Sequence, residues 1–158
     1  MSVDFKSSRS NFFRSFNSIF SKISKADETV IVSLIKSHCI PTLMYGLEAL
    51  DLNKTLLRRL DNPLFLVFGK MFKTFDKNIV NCCMNYLNTL PLSFEYLIRK
   101  ASFLAKLKMV ENNALSKLYK VCGRGEFVDL YKEMKLDPMS NIVIFKQKVW
   151  VRFEELMR

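Results

Sequence analysis

Glycine and proline are scarce in this 158-residue chain, which contains four residues of each. Folds built from strands and tight turns need both residue types, so their scarcity argues against a predominantly β structure. The composition also excludes collagen-like, mucin-like and low-complexity proteins. Because 49% of the residues are hydrophobic and 25% are charged, the chain has enough apolar material to bury a core.

Residues that carry metal or nucleophilic chemistry are also few. His38 is the only histidine, and none of the four cysteines forms a C-x-x-C pair. His38 and Cys39 would point about 100° apart on a helix, so they are read as ordinary side chains and not as a ligand or catalytic pair. The cysteines are Cys39, Cys82, Cys83 and Cys122.

The sequence also gives no sign of carboxylates that converge on a divalent metal or of a phosphate-binding loop. The adjacent pairs Asp27-Glu28 and Glu154-Glu155 diverge in direction, and they suit helix ends and solvated faces better than a metal site. The sequence contains no G-x-x-x-x-G-K-[ST], G-x-S-x-G or H-E-x-x-H motif. We therefore predict that the chain has no active site, no metal site and no cofactor.

Long apolar runs are absent too. The longest uncharged stretch, residues 78–94, contains four asparagines at helical spacing and Pro91, which suits an amphipathic helix better than a membrane span. Residues 1–14 contain Asp4 and three basic residues and lack the apolar segment of a secretory signal. We expect an intracellular protein, in the nucleus or cytoplasm, without a transmembrane segment.

Apolar residues recur at spacings of three and four along most of the chain, which predicts helices. The first such stripe consists of Phe12, Phe16, Ile19, Phe20 and Ile23. We predict an all-α fold, an irregular bundle of about six to eight helices, several of them kinked at proline. The glycines of Gly123-Arg124-Gly125 predict a helix stop. They would divide a main helical domain, 1–122, from a small helical tail, 123–158, either packed on it or loosely attached.

Several local features are predicted within this pattern. Pro41 should kink one helix near Cys39 to Pro41, and Pro63 should bend or split another that Asn53 caps. Gly46 within an apolar helix is tolerated if a neighbouring element packs closely against it. Ser140 would cap a last helix, although parts of residues 142–151 are also strand-like.

Lysine and arginine number 25 against 15 acidic residues, which gives a formal charge of +10. Such an excess favours a polyanionic partner, nucleic acid first and an anionic membrane surface second. Any single lysine can equally be a solvated surface residue. Phe65, Phe68, Phe72 and Phe75 are able to stack bases, but their spacing suits a core face better.

The segment from Cys39 to Leu50, CIPTLMYGLEAL, has the pattern C-x-P-x-L-x-Y-G-x-E-A. It resembles the region just after the polymerase palm in non-long-terminal-repeat (LINE-type) retrotransposon reverse transcriptases. The preceding FRSFNSIFSKI and the following LLRRLD and FGKMFKT are similar to helices that flank this pattern in the family. The likeness covers about the first two thirds of the chain, and its central motif is the specific part.

The resemblance implies a helical thumb region, separated from the palm that carries the paired catalytic aspartates. It therefore implies no enzymatic activity for the chain alone. It implies that RNA or an RNA–DNA duplex is bound through the backbone, and that a palm or endonuclease portion of such a polymerase is a further partner. The candidate nucleic-acid-binding residues are Arg14, Lys22, Arg58, Arg59, Lys70, Lys73, Arg99, Lys100 and Lys106.

Two other functions remain open at this point. A truncated retrotransposon copy would be a structural or protein-interaction helical module, with apolar surface exposed and no nucleic-acid role. A peripheral membrane protein would instead use the first helix, with Phe12, Phe16 and Phe20 opposite its basic side. The oligomeric state is not indicated by the sequence.

Overall fold

A computed structural model describes residues 6–157, and within that range the chain is helical without strands. The prediction of an all-α fold of about six to eight helices is therefore confirmed. The helical segments are α1 (Lys6–Ile23), α2 (Glu28–Leu34), α3 (Ile40–Met44), α4 (Lys54–Phe72), α5 (Lys77–Tyr86), α6 (Leu92–Lys108), α7 (Asn113–Leu118), α8 (Arg124–Glu133) and α9 (Ile142–Glu155). Asp4, cited above against a secretory signal, lies outside the described residues.

Two π-helical turns join neighbouring segments, Ile35–Cys39 between α2 and α3 and Tyr119–Gly123 between α7 and α8. Each pair is one continuous helix, which leaves seven helices along residues 6–157. The helix stop predicted at Gly123 is wrong. Gly123 is buried, and a Cβ there would lie 2.8 Å from the Tyr119 ring, so this glycine permits close packing and does not end the helix.

The chain forms two compact units, and each is described by itself. Unit 1 contains Met1–Gly46 and Leu52–Leu92, and unit 2 contains Leu47–Asp51 and Ser93–Arg158. The boundary predicted between 122 and 123 falls inside unit 2, because the helix from α7 to α8 runs through that position.

The core of unit 1 contains the inward face of α1, where Phe12 and Phe16 are buried. These two rings are therefore not available as a membrane-binding face, and the membrane hypothesis for α1 is wrong. Described residues 6–157 include no helix with the length and apolarity needed to cross a membrane.

Pro41 interrupts regular α-helical bonding, as predicted, and the interruption takes the form of the π turn just before it. The Ile40 N–H donates to the Ile35 carbonyl, five residues back. The Thr42 hydroxyl donates to the His38 carbonyl at 3.1 Å and so satisfies an acceptor near the proline.

Gly46 follows α3 and has a φ of +71°. No atom lies within 4 Å of the position that a Cβ would take there, so the expected close packing against this glycine is wrong. Gly46 instead allows a left-handed turn.

Helix α4 begins as predicted, since the Asn53 side chain accepts from the Leu56 N–H at 2.9 Å. Pro63 is buried inside α4 and does not split it. The helix ends at Lys73, whose φ of 53° is left-handed and whose N–H donates to the Gly69 carbonyl. This hydrogen bond satisfies one of the carbonyls that the end of α4 would otherwise leave unpaired.

The core of unit 2 contains a row of aromatic rings from α8 and α9. The ring centroids of Phe127 and Tyr131 are 4.5 Å apart, and those of Tyr131 and Phe145 are 4.9 Å apart. Residues 142–151 are helical, which settles the strand alternative. The cap of α9 is Asn141 and not Ser140, because the Asn141 side chain accepts from the Val143 N–H.

Candidate nucleic-acid interface

Helices α1 and α4 of unit 1 together contain eight basic residues and one acidic residue, Asp61. Six of the predicted contact residues lie on or directly after these helices, and all six are exposed. They are Arg14 and Lys22 on α1, Arg58, Arg59 and Lys70 on α4, and Lys73 at its end. We call these six residues the basic surface of unit 1.

Lys70 shows that α1 and α4 lie side by side. Its ammonium donates to the Asn17 Oδ1 at 3.2 Å and lies 5.5 Å and 5.4 Å from the ring centroids of Phe16 and Phe20. The ring faces and the amide oxygen hold the charge at the junction of the two helices while the residue stays exposed. A phosphate approaching this junction would meet side chains from both helices.

The positions along α4 give the basic surface a definite spacing. Arg59 and Lys70 are eleven residues apart, which places them on the same side of the helix and about 16 Å apart along its axis. Arg58 lies about 100° further round the same helix. The surface thus presents positive charge at both ends of α4 and not in one cluster.

The three candidates of unit 2 lie on α6 and differ in their surroundings. Lys106 is exposed. The Arg99 Nε lies 3.1 Å from the Glu95 Oε1, one turn earlier, and both side chains are about one third exposed. The paired carboxylate reduces the field that Arg99 offers to a phosphate.

Lys100 does not belong to an interface. It is only 5% exposed, and its ammonium lies 2.8 Å from the Glu126 Oε2 and donates to the Leu50 carbonyl at 2.8 Å. Phe94, Leu97 and Ile98 of the same helix are only half-buried. The buried face passes through Tyr96, Lys100 and Leu104, so the lysine points inward.

The phenylalanines of α4 were expected to suit a core, and Phe68 does: it is fully buried, with its ring centroid 6.0 Å from that of Phe72. Phe75 is 65% exposed, and its ring lies against the backbone of Gly69. The row from Phe65 to Phe75 therefore offers no continuous stacking platform.

Cys39 and His38 face different surroundings. Cys39 is buried, which raises the pKa of its thiol to about 11, whereas His38 is exposed. Residues 6–157 bring together no group of three or more histidine, cysteine, aspartate or glutamate side chains able to hold a metal ion.

Sequence reasoning did not identify a groove of unit 1 between the start of α2, the end of α4 and α5. Thr29, Tyr86 and Leu87 line two adjoining cavities of about 460 and 360 Å³ there. Tyr86 is 86% exposed. A tyrosine in an asparagine-rich amphipathic helix carries no sequence signal of such a groove, because the groove requires α2 and α5 to meet.

Comparison of the chain with protein-family models, with curated protein sequences and with solved structures gave no match. The function is therefore inferred from the residues of the site themselves.

Proposed function

We propose that this chain is a non-catalytic helical module that holds the backbone of duplex RNA or an RNA–DNA hybrid through lysine and arginine. The proposal agrees with the resemblance of residues 39–50 to the thumb region of LINE-type RNA-directed DNA polymerases. The basic surface of unit 1 is the part of the chain to which we assign this binding.

One observation carries the proposal, the local imbalance of charge on α1 and α4. Helices α8 and α9 contain five basic and five acidic residues, so their charges compensate each other. On α1 and α4 the ratio is eight to one. An exposed surface with a large excess of positive charge attracts a polyanion and does so at long range.

The chemistry of this surface suits backbone binding and not base recognition. Arginine and lysine side chains on helices reach phosphate oxygens, and such contacts set register without reading sequence. An A-form duplex presents a wide, shallow minor groove between two phosphate ridges, which helices can straddle. The separation of charge along α4 matches contact with several phosphates of one strand better than contact with a single anion.

The experiment is fluorescence anisotropy with a labelled RNA duplex and an RNA–DNA hybrid over a range of salt concentrations. We expect affinity to fall steeply with salt, by about 0.9 log units per log unit of salt for each phosphate neutralised. The variant Arg14→Glu/Arg58→Glu/Arg59→Glu should lower affinity for all duplex sequences and lower the salt slope by about one for each residue.

The matched control is Lys117→Glu/Lys132→Glu/Lys146→Glu, which changes the net charge equally at exposed positions of unit 2. This variant should retain most of the affinity. Equal loss of affinity in both variants would show that only the net charge matters, which would contradict the assignment to unit 1. Absence of duplex binding at low salt would refute the proposal. Circular dichroism would verify that both variants fold.

The protein-interaction alternative has one observation in its favour. Helix α7 has no buried residue, and Leu118 and Val121 are 53% and 82% exposed on the continuous helix that it begins. Apolar side chains normally face inward on a surface helix. Light scattering tests this alternative, since a defined oligomer that Leu118→Ser/Val121→Ser dissociates would support it and a monomer would oppose it.

A further inference from the structure

Helix α5 carries apolar side chains on both of its sides. Val80 and Met84 are buried in the core of unit 1. Ile79, Cys82 and Tyr86 lie on the other side and are exposed, the isoleucine by 51% and the tyrosine by 86%. These three residues are three and four positions apart, so they follow one another along the helix surface. Exposed apolar residues that adjoin each other mark an interaction surface, whereas scattered ones do not.

The spacing of these residues is self-complementary. Phe75, just before the residue that caps α5, extends the row with a ring that is 65% exposed. We call Phe75, Ile79, Cys82 and Tyr86 the apolar row; its members are four, three and four positions apart, counted from either end. Two antiparallel copies of α5 related by a two-fold axis would therefore place Ile79 against Cys82 of the second copy. The same arrangement would place Phe75 against Tyr86 of the second copy.

The start of α5 is net positive. Lys73 and Lys77 are exposed there. The carboxylate of Asp76 lies beside them and caps the helix, since its Oδ1 accepts from the backbone N–H groups of Asn78 and Ile79 at 2.8 and 3.1 Å. Two ammonium groups thus stand against one carboxylate at this end of the apolar row.

The end of α5 is net negative. Asp27 and Glu28 are exposed and line a cavity of about 460 Å³ together with Tyr86. Lys36 also lies at this end, where its ammonium donates to two backbone carbonyls that follow α5. An antiparallel second copy would bring its positive start to this negative end, and it would do so at both ends of the pair. Opposed charges of this kind fix the register and orientation of an interface.

We propose that the apolar row of α5 binds the apolar row of a second copy of this chain in an antiparallel, two-fold symmetric dimer. The surface selects this occupant because its apolar spacing and its charges both complement themselves. Phe75 of the second copy covers the cavity beside Tyr86, and Lys77 of the second copy faces Glu28. Because α5 has ten residues and is about 15 Å long, the contact is at the small end of specific interfaces and the dimer dissociates on dilution. The inference does not depend on nucleic-acid binding.

The test is sedimentation equilibrium of the full chain over protein concentrations of about 1–100 μM, a range that suits a small interface. We expect a monomer–dimer equilibrium without larger species, because a two-fold contact uses the same surface on both copies and closes. Ile79→Ser/Tyr86→Ser should raise the dissociation constant about tenfold or more, since it removes apolar contacts at the centre and end of the row. A chain that stays monomeric throughout this range would overturn the inference.

Leu118→Ser/Val121→Ser is the matched control, because it removes two exposed apolar side chains from unit 2. It should leave the dissociation constant of the dimer unchanged. If this variant dissociates the dimer and Ile79→Ser/Tyr86→Ser does not, the α5 contact is overturned in favour of association through α7. Circular dichroism would verify that both variants fold.

Charge reversal tests the antiparallel register. Glu28→Lys alone and Lys77→Glu alone should each weaken the dimer by about threefold to tenfold, because each places like charges opposite one another at both ends of the pair. An equimolar mixture of the two variants should form a heterodimer as stable as the parent dimer, since opposite charges then face each other at both ends. A mixture no more stable than either variant alone would overturn the antiparallel arrangement.

Discussion

The ammonium of Lys100 lies 2.8 Å from the carboxylate of Glu126, an ion pair between α6 and α8 inside unit 2. The same ammonium and the Tyr96 hydroxyl both donate to the Leu50 carbonyl, at 2.8 and 2.7 Å. The short segment Leu47–Asp51 is thus joined to α6 by two hydrogen bonds. Lys100 has a structural role that connects three parts of unit 2.

Replacing Lys100 with methionine should destabilise the protein. The change removes a buried charge-assisted bond to Leu50 and leaves Glu126 without its partner, and hydrogen bonds to charged groups contribute about 1.5–3 kcal/mol. Because the Glu126 side chain is 39% exposed and can regain water, we expect a loss of about 2 kcal/mol. Urea denaturation measures it.

Lys106→Met is the control, since Lys106 is exposed on the same helix and should change stability by no more than about 0.5 kcal/mol. A Lys100→Met protein as stable as the control would contradict the inward position of Lys100.

Gly69→Ala should also destabilise the protein. A Cβ at Gly69 would lie 2.7 Å from the Phe75 ring and 2.8 Å from the Thr74 carbonyl oxygen, so the turn after α4 would have to move. Overpacking of this kind costs about 1–3 kcal/mol. Thermal or urea unfolding would measure the change.

Gly125→Ala provides the opposite case. Gly125 is in α8 with nothing within 4 Å of an added Cβ, and alanine is the better helix former by about 0.5–1 kcal/mol. We expect this variant to be as stable as the parent protein or more so. Equal effects at both glycines would refute the close approach at Gly69.

The four cysteines should differ in their reaction with a thiol reagent. Burial raises the pKa of Cys39 to about 11, and the thiolate is the reactive form, so Cys39 should stay unmodified in the folded protein at about pH 8. Cys82 and Cys122 are exposed and should react first. Mass spectrometry of a time course would identify the sites, and early modification of Cys39 would show that the π turn before α3 is not packed as described.

Stability should fall at acid pH through Asp27. The hydrogen bond from the Thr29 hydroxyl, followed by that from its backbone N–H, lowers the pKa of this carboxyl in the folded protein. Its contribution is therefore fully present above the unfolded pKa of about 4 and is lost as pH falls through the folded value. Asparagine can still cap the helix but carries no charge.

We therefore expect the melting temperature of Asp27→Asn to lie below that of the parent protein at about pH 6. The difference should shrink as the pH falls toward about 2. A difference that stays constant over this range would show that the charge of Asp27 does not contribute.

Capping and periodicity were predictable because they depend on neighbours in the chain. Asn53 caps α4, and the apolar spacing around Phe12 and Phe16 produces the buried face of α1, as predicted. Gly123 was mistaken for a helix stop because its sequence context is the same in a stop and in a close helix contact. The Tyr119 ring and Leu104, which surround it, decide between the two.

The sequence by itself determined the helical fold, the cap of α4 and the excess of positive charge, since these follow from periodicity, local propensity and composition. Only the tertiary structure decided which charges face outward. A lysine at the boundary of the apolar face of a helix is buried or exposed depending on which neighbouring segment packs against that helix. Lys100 faces Glu126 and Leu50, whereas Lys70 faces solvent beside the Phe16 ring. The meeting of α2 with α5 likewise creates a groove beside Tyr86 that neither segment contains alone.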